Sequence, residues 1–272
     1  MNERFTYRTN PHTDAELRQY RDASFLCRYG ALRSGEARQY GEPGQDYLTF
    51  AADGQAFWFV MCDGVGLSFR GELAAQLLGD SLLNWGAELE LARAGSEAEL
   101  AASLTERLQQ LSERACREVG QSPIPEDAPP MLREVLEEKR SSGSEAMFVC
   151  GKVECHPGGR DSNVLLAWMG DLRVKGWDSE GRPLDGLQAE GQRCTGMRWS
   201  SHQGTKGVQP FVWLGTSRML RSLLIYTDGL SEMDGIVSFP EHETLQNVMN
   251  HSKERADGDD ATVMTLSWQV TE

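Results

Sequence analysis

Four aspartates in this sequence stand where predicted strands begin or end. Asp63 and Asp228 each close an apolar run and precede a glycine, whereas Asp46 and Asp259 each lie just before a predicted strand. A buried carboxylate is unfavourable unless it meets a partner, and carboxylate and carbonyl oxygens are the ligands that Mg²⁺ and Mn²⁺ prefer. The pattern therefore indicates a divalent metal site, although Asp-Gly pairs that only form turns fit the same residues.

The elements that must position these aspartates follow from hydrophobic periodicity. Alternating or continuous apolar runs predict strands over 23–33, 47–52, 56–62, 146–154, 163–169, 173–177, 211–214, 223–227 and 261–270. Apolar residues at helical spacing predict helices over 72–85, 97–119, 131–140 and 242–255. Because most helices lie in the middle of the chain, with strands before and after them, the order favours an α+β fold with antiparallel sheets.

The chain divides into a short first segment and one long unit. Residues 1–22 are polar and charged, and we expect an N-terminal arm or a short helix there, with an extra edge element as the alternative. No linker or repeat interrupts residues 23–272, so we expect them to form a single domain.

Net charge, apolar runs and cysteine spacing argue against several classes of protein. The 272 residues include 27 Lys and Arg against 41 Asp and Glu, a formal net charge of −14. Such an acidic balance disfavours nucleic-acid and anionic-membrane binding. The sequence has no apolar run long enough to span a bilayer and no signal-peptide pattern. Its six cysteines form no CxxC pair and several lie in apolar runs, which indicates reduced thiols and a cytoplasmic protein.

Six short motifs carry a resemblance to a known family. In chain order they are Gln45-Asp46, Asp63-Gly-Val-Gly66, Gly143-Ser-Glu-Ala146, Gly170-Asp-Leu-Arg173, Asp228-Gly-Leu230 and Asp259-Asp-Ala-Thr262. Over about residues 23–270 this series resembles the type 2C metal-dependent protein phosphatases, in a divergent bacterial branch. The resemblance implies a four-layer α-β-β-α sandwich with two central antiparallel β-sheets.

The resemblance also implies which residues hold metal. Two Mn²⁺ or Mg²⁺ ions are expected, bridged by Asp63, with the Gly64 carbonyl completing one shell. By the same resemblance Asp228 and Asp259 hold the other ion, and Asp46 acts on the second ion directly or through water. Asp171 matches the position that holds a third ion in some bacterial members.

The activity implied by the resemblance is hydrolysis of phosphoserine and phosphothreonine in proteins. A metal-bridging water or hydroxide attacks the phosphorus, and an arginine holds the phosphate oxygens. Arg38 is the candidate for that arginine, with Arg33 as the alternative. A phosphorylated protein is the expected substrate, and a Ser/Thr kinase the expected counterpart.

Two departures from the family pattern keep other functions open. Glu145 stands where the family has Thr, and Leu172 stands where it has Ser. A catalytically weak, phosphatase-like binding or regulatory module is therefore the alternative hypothesis. A phosphatase for small phosphorylated metabolites is a third.

Overall fold

The computed structural model describes residues 4–155, 161–184, 187–188 and 193–269, whose strands form two antiparallel sheets. The first sheet has the order β1 (Phe5–Arg8), β4 (Tyr47–Ala52), β5 (Ala56–Gly64), β6 (Glu145–Cys155), β7 (Ser162–Met169) and β10 (Phe211–Thr216), and β9 (Trp199–Ser200) pairs with β6. The second has the order β2 (Ala15–Arg21), β3 (Phe25–Leu32), β12 (Ala261–Trp268), β11 (Ser222–Tyr226) and β8 (Arg173–Trp177).

Helices cover the outer faces of the two sheets. The α-helices are α1 (Gly35–Tyr40), α2 (Gly71–Glu88), α3 (Glu97–Gln121), α4 (Pro130–Ser142) and α5 (His242–Glu254). Among the described residues, 3₁₀ segments span Leu91–Arg93 and Asp228–Gly235, the latter with a kink at Leu230. Among the described residues, no helix combines the length and the apolarity that crossing a membrane requires.

Three apolar cores separate four layers, and β5 shows why. Its Trp58, Val60 and Cys62 pack toward α2 and α3, whereas Phe57, Phe59 and Met61 pack toward the second sheet. Alternate strand residues point to opposite faces, so a strand between two layers must be apolar throughout. A third core lies between the second sheet and α5. The predicted α+β, α-β-β-α sandwich is therefore confirmed.

The described part of the first 22 residues differs from the expected arm or short helix. It forms two strands, of which β1 pairs with β4 and β2 pairs with β3. The ring centroids of Phe5 and Tyr20 lie 4.7 Å apart and those of Tyr7 and Tyr29 lie 4.4 Å apart, so aromatic contacts join the edges of the two sheets. Edge strands expose one backbone side and tolerate charge, so a polar segment fits the edge positions of β1 and β2.

Candidate metal centre

One cavity of about 700 Å³ lies where both sheets present strand ends. Aspartates from five separate segments line it, namely Asp46 before β4, Asp63 in β5, Asp171 after β7, Asp228 after β11, and Asp259 with Asp260 before β12. The first three segments belong to the first sheet and the last two to the second. The aspartates that the sequence singled out thus come together in one place.

Asp46, which lines the cavity, connects the two sheets through a hydrogen bond. Its side chain is buried, and the Thr227 hydroxyl donates a 2.7 Å hydrogen bond to its Oδ2. The Thr262 N–H in turn donates to the Thr227 hydroxyl at 2.9 Å. Burial, followed by the negative charges of Asp63 and Asp260, raises the pKa of Asp46 well above its usual range.

Asp260 is bonded by main-chain N–H groups on two other segments. The Ser34 N–H donates to Oδ1 at 2.5 Å, and the Gln45 N–H donates to Oδ2. Burial raises the pKa of Asp260, and these two hydrogen bonds oppose the shift because they favour the ionised form. Asp260 therefore ties the start of α1 and the start of β4 to β12, whereas the predicted ligand Asp259 is the exposed member of the pair.

Asp63, Asp171 and Asp228 have fewer partners. Asp63 and Asp171 accept no side-chain hydrogen bond from the described residues, and Oδ1 of Asp171 is buried without a partner. Burial, and then the charges of Asp228, Asp171, Asp259 and Asp260, raises the pKa of Asp63 well above its usual range. The pKa of Asp228 is raised by burial and then by Asp259 and Asp171, while Arg173 lowers it.

The donor chemistry fits a hard divalent cation. All seven lining aspartates, Asp257 included, offer oxygen, the preferred ligand of Mg²⁺ and Mn²⁺. An incoming dication would reverse the like-charge repulsion that raises their pKa values. Within the described ranges, no group of three or more Asp, Glu, His or Cys side chains is arranged to hold a metal ion.

The turn after β5 brings main-chain atoms to the cavity. Gly64, Val65 and Gly66 line it, and the Gly64 N–H donates to the Gln45 carbonyl at 3.2 Å. A Cβ on Gly64 would lie 2.4 Å from the Gly71 carbonyl oxygen. Only glycine permits this close approach, so the residue type is explained by packing. The role of its carbonyl as a ligand stays a prediction.

Arg38 is not at the cavity, contrary to the phosphate-binding role expected of it. Its guanidinium donates to the carbonyls of Arg33, Lys253 and Arg255. The α1 helix turns this side chain toward the end of α5, where carbonyls have no helical partner. Arg33, the alternative, pairs with Asp14 at 3.1 Å and does not line the cavity either.

Arg198 is the basic residue that sequence reasoning missed. It lines the cavity, and it is the single basic side chain among the described lining residues. The carboxyl-bearing ones are Glu36, Glu42, Asp46, Asp63, Asp171, Asp228, Asp257, Asp259 and Asp260. Arg198 lies outside every motif, directly before β9, so no sequence signal marked it.

Comparisons with known proteins bear on the fold. The chain matches no family model and no curated protein sequence. Solved structures are similar to it across nearly the whole chain. A bacterial serine phosphatase has 15% identity and a TM-score of 0.53, covering 90% of this chain and 98% of its own. Serine/threonine phosphatase Stp1 from Staphylococcus aureus has 14% identity and a TM-score of 0.51, covering 99% and 96%.

A third similar structure comes from Toxoplasma gondii. A phosphatase from a pathogenic strain of Toxoplasma gondii has 12% identity and a TM-score of 0.55, covering 95% of this chain and 97% of its own. The chain therefore has the fold of serine/threonine phosphatases. This is the fold that the resemblance of its motifs to the type 2C family implies.

Proposed function

We propose that the protein is a metal-dependent protein serine/threonine phosphatase. The observation that carries the proposal is the convergence of aspartates from both sheets on one cavity, within a fold shared with phosphatases. At this level of identity fold alone does not assign an activity. The support comes from the chemistry of the cavity, which nine carboxyl-bearing residues and one arginine line within the described part of the chain.

The residues proposed to hold two Mn²⁺ or Mg²⁺ ions, and a third at Asp171, are Asp46, Asp63, Gly64 through its carbonyl, Asp228 and Asp259. When bound, such ions supply a lowered pKa for water and positive charge for the phosphate oxygens. The protein's own contribution is orientation. Thr227 fixes the Asp46 carboxylate by a hydrogen bond, and the Ser34 and Gln45 N–H groups fix Asp260 beside it.

Metal-dependent hydrolysis of p-nitrophenyl phosphate tests the proposal. Wild-type protein is assayed with Mn²⁺, Mg²⁺ or EDTA beside Asp63→Asn, which removes a proposed bridging charge. Asp257→Asn is the matched control, because that side chain lines the same cavity but is 88% exposed. We expect turnover that EDTA abolishes, that Asp63→Asn loses and that Asp257→Asn retains. Absence of turnover with either metal in folded wild-type protein would refute the proposal.

The proposed substrate is a phosphorylated protein. Phosphoserine and phosphothreonine peptides are compared with sugar phosphates under the metal conditions that support turnover. Faster hydrolysis of the peptides supports a protein phosphatase that opposes a Ser/Thr kinase. Faster hydrolysis of the sugar phosphates would instead identify a metabolite phosphatase.

A binding module without catalysis is the second candidate, and one observation favours it. No three ligand-type side chains are gathered in the described ranges. Calorimetry with Mn²⁺ separates the two candidates, since a phosphatase must bind the ion and a module without catalysis need not. Little or no Mn²⁺ binding would favour the module.

The proposed location is the cytoplasm. All six cysteines are free, and Cys27, Cys62 and Cys150 are buried among apolar side chains. Free thiols persist where the redox environment is reducing. Fractionation of cells that express the protein would test the location.

A further inference from the structure

Three charged side chains form a cluster beside the cavity. They are Glu145 at the start of β6, Arg198 before β9, and Lys206. Glu145 is paired with Arg198 and with Lys206, and its side chain is 14% exposed. Nε of Arg198 lies 2.5 Å from Oε2 of Glu145, and Lys206 contacts the other carboxylate oxygen. Of these three, Arg198 is the residue that lines the cavity.

Arg198 retains hydrogen-bonding capacity after this pairing. A guanidinium carries five N–H donors arranged as a rigid fork. The Nε edge faces Glu145, and Nη1 donates to the Thr195 carbonyl at 3.3 Å. Among the described residues, no acceptor is bonded to Nη2. The side chain is 33% exposed, so a ligand in the cavity can reach it.

Glu145 is also bonded through its main chain to the turn that lines the metal centre. The Val65 N–H donates to its carbonyl at 2.9 Å, and the neighbouring Ala146 pairs with Gly64 across β5 and β6. Glu145 thereby connects the Asp63-Gly64 turn to the Arg198 guanidinium. A threonine at this position would lack the carboxylate that pairs with both cations.

We propose that Arg198 binds the phosphate oxygens of the substrate and that Glu145 is the residue that positions it. The inference rests on the proposed phosphatase function and assigns within it the role expected of Arg38. Arg198 is suited to the role because a guanidinium forms paired N–H bonds to phosphate, and Nη1 to Thr195 is its one hydrogen bond among the described residues. Arg38 directs its guanidinium to three carbonyls outside the cavity.

Binding of inorganic phosphate tests the inference without requiring turnover. The Mg²⁺-loaded full chain is titrated with inorganic phosphate by calorimetry, and KM and kcat for p-nitrophenyl phosphate are measured in parallel. The variants are Arg198→Ala, Arg198→Lys, Glu145→Gln and Arg38→Ala. Arg218→Ala is the matched control, because it removes an arginine that is 75% exposed and paired with Asp161, neither of which lines the cavity.

We expect Arg198→Ala to raise the Kd for phosphate by about 10- to 100-fold, the range for a charged hydrogen-bonded pair. Arg198→Lys should fall between Ala and wild type, since an ammonium keeps the charge and loses the fork. Glu145→Gln should raise KM more than it lowers kcat. It should add nothing in an Arg198→Ala background, which is the signature of a residue acting through Arg198.

Several results would overturn the inference. They are a Kd for Arg198→Ala within twofold of wild type, a larger loss of phosphate affinity in Arg38→Ala, and wild-type protein that binds no phosphate. Wild-type protein that binds phosphate but hydrolyses no ester would refute the proposed function instead, and the Kd of Arg198→Ala would still decide the role of Arg198. Arg198→Lys keeps the test valid if Arg198→Ala does not fold.

Discussion

The acidic cavity has two halves that differ in what surrounds their carboxylates. In the bonded half, Asp46 and Asp260 accept hydrogen bonds from the Thr227 hydroxyl and from main-chain N–H groups. In the open half, formed by Asp63, Asp171 and Asp228, two of the three carboxylates accept no side-chain hydrogen bond from the described residues, and Oδ1 of Asp171 is buried without a partner. Aspartates of one cavity thus differ in whether the fold supplies donors to their carboxylates.

Asp260 is bonded to the fold, whereas the aspartates of the open half are proposed metal ligands. Asp46 is bonded to the fold and is also a proposed ligand. A carboxylate bonded to N–H groups holds chain segments together whether or not an ion is present. A buried carboxylate without donors weakens the fold and is tolerated where it serves a site. Substitution of Asp260 should therefore lower stability, whereas substitution of an aspartate in the open half should lower activity without lowering stability.

The largest expected effect is on activity in the open half. Asp228→Asn should lower metal-dependent turnover by about 10³-fold, because an ion contributes several kcal/mol to stabilising developing charge. Its metal-free free energy of unfolding should stay equal or rise, since one buried charge among like charges is removed. Urea unfolding in EDTA and initial rates with Mn²⁺ check both parts. A variant that loses activity only because it unfolds would erase the distinction between the halves.

In the bonded half the effect should fall on stability. Asp260→Ala leaves the Ser34 and Gln45 N–H groups without their acceptors, at a cost of about 2–4 kcal/mol in the free energy of unfolding. Urea unfolding in EDTA measures it, and Asp257→Ala is the control with an expected change below about 0.5 kcal/mol. Equal stability in the two variants would show that Asp260 does not hold these segments.

Metal binding should stabilise the wild-type protein more than a variant of the open half. Mn²⁺ at about 100 times its Kd should raise the free energy of unfolding of the wild-type protein by about 2.7 kcal/mol. Asp63→Asn should lose most of this gain, and EDTA should reverse it. Thermal unfolding with and without Mn²⁺ is the measurement. An equal gain in Asp63→Asn would mean that the ion binds elsewhere.

The smallest effect concerns the hydroxyl beneath Asp46. Thr227→Val removes the donor to Asp46 and the acceptor for the Thr262 N–H, and should cost about 1.5 kcal/mol of stability. Thr227→Ser keeps the hydroxyl and should cost less, which makes it the matched control in the same urea titration. If Thr227→Ser loses as much stability as Thr227→Val, the methyl contact that serine lacks matters as much as the hydrogen bonds that valine lacks.

Sequence patterns predicted much of this arrangement because strong periodicity and motif order agree. The bounds of β4 and β8 match the prediction, and the strand-end aspartates Asp63 and Asp228 line the cavity. For residues 1–22 the sequence left an arm, a short helix and an edge element open, because a charged segment fits each of them and edge strands tolerate charge.

The arginines show a different limit of sequence reasoning. Arg38 lies close to Asp46 in the chain, but α1 carries its guanidinium to the end of α5. Arg198 lies far from Asp63 in the chain, but the pairing of β9 with β6 brings it to the cavity. Proximity along the chain misled in the first case, and a contact between distant residues escaped notice in the second.

The buried neighbour of Arg198 gives that side chain an advantage in entropy. Trp199 is fully buried in the core between α3 and the first sheet, and its indole N–H donates to the Leu108 carbonyl at 2.9 Å. Immobilising a long arginine costs up to about 2 kcal/mol in lost rotamer freedom. With the backbone held by Trp199 and one edge of the guanidinium held by Glu145, much of that freedom is already lost on folding, so a phosphate group meets a preorganised partner.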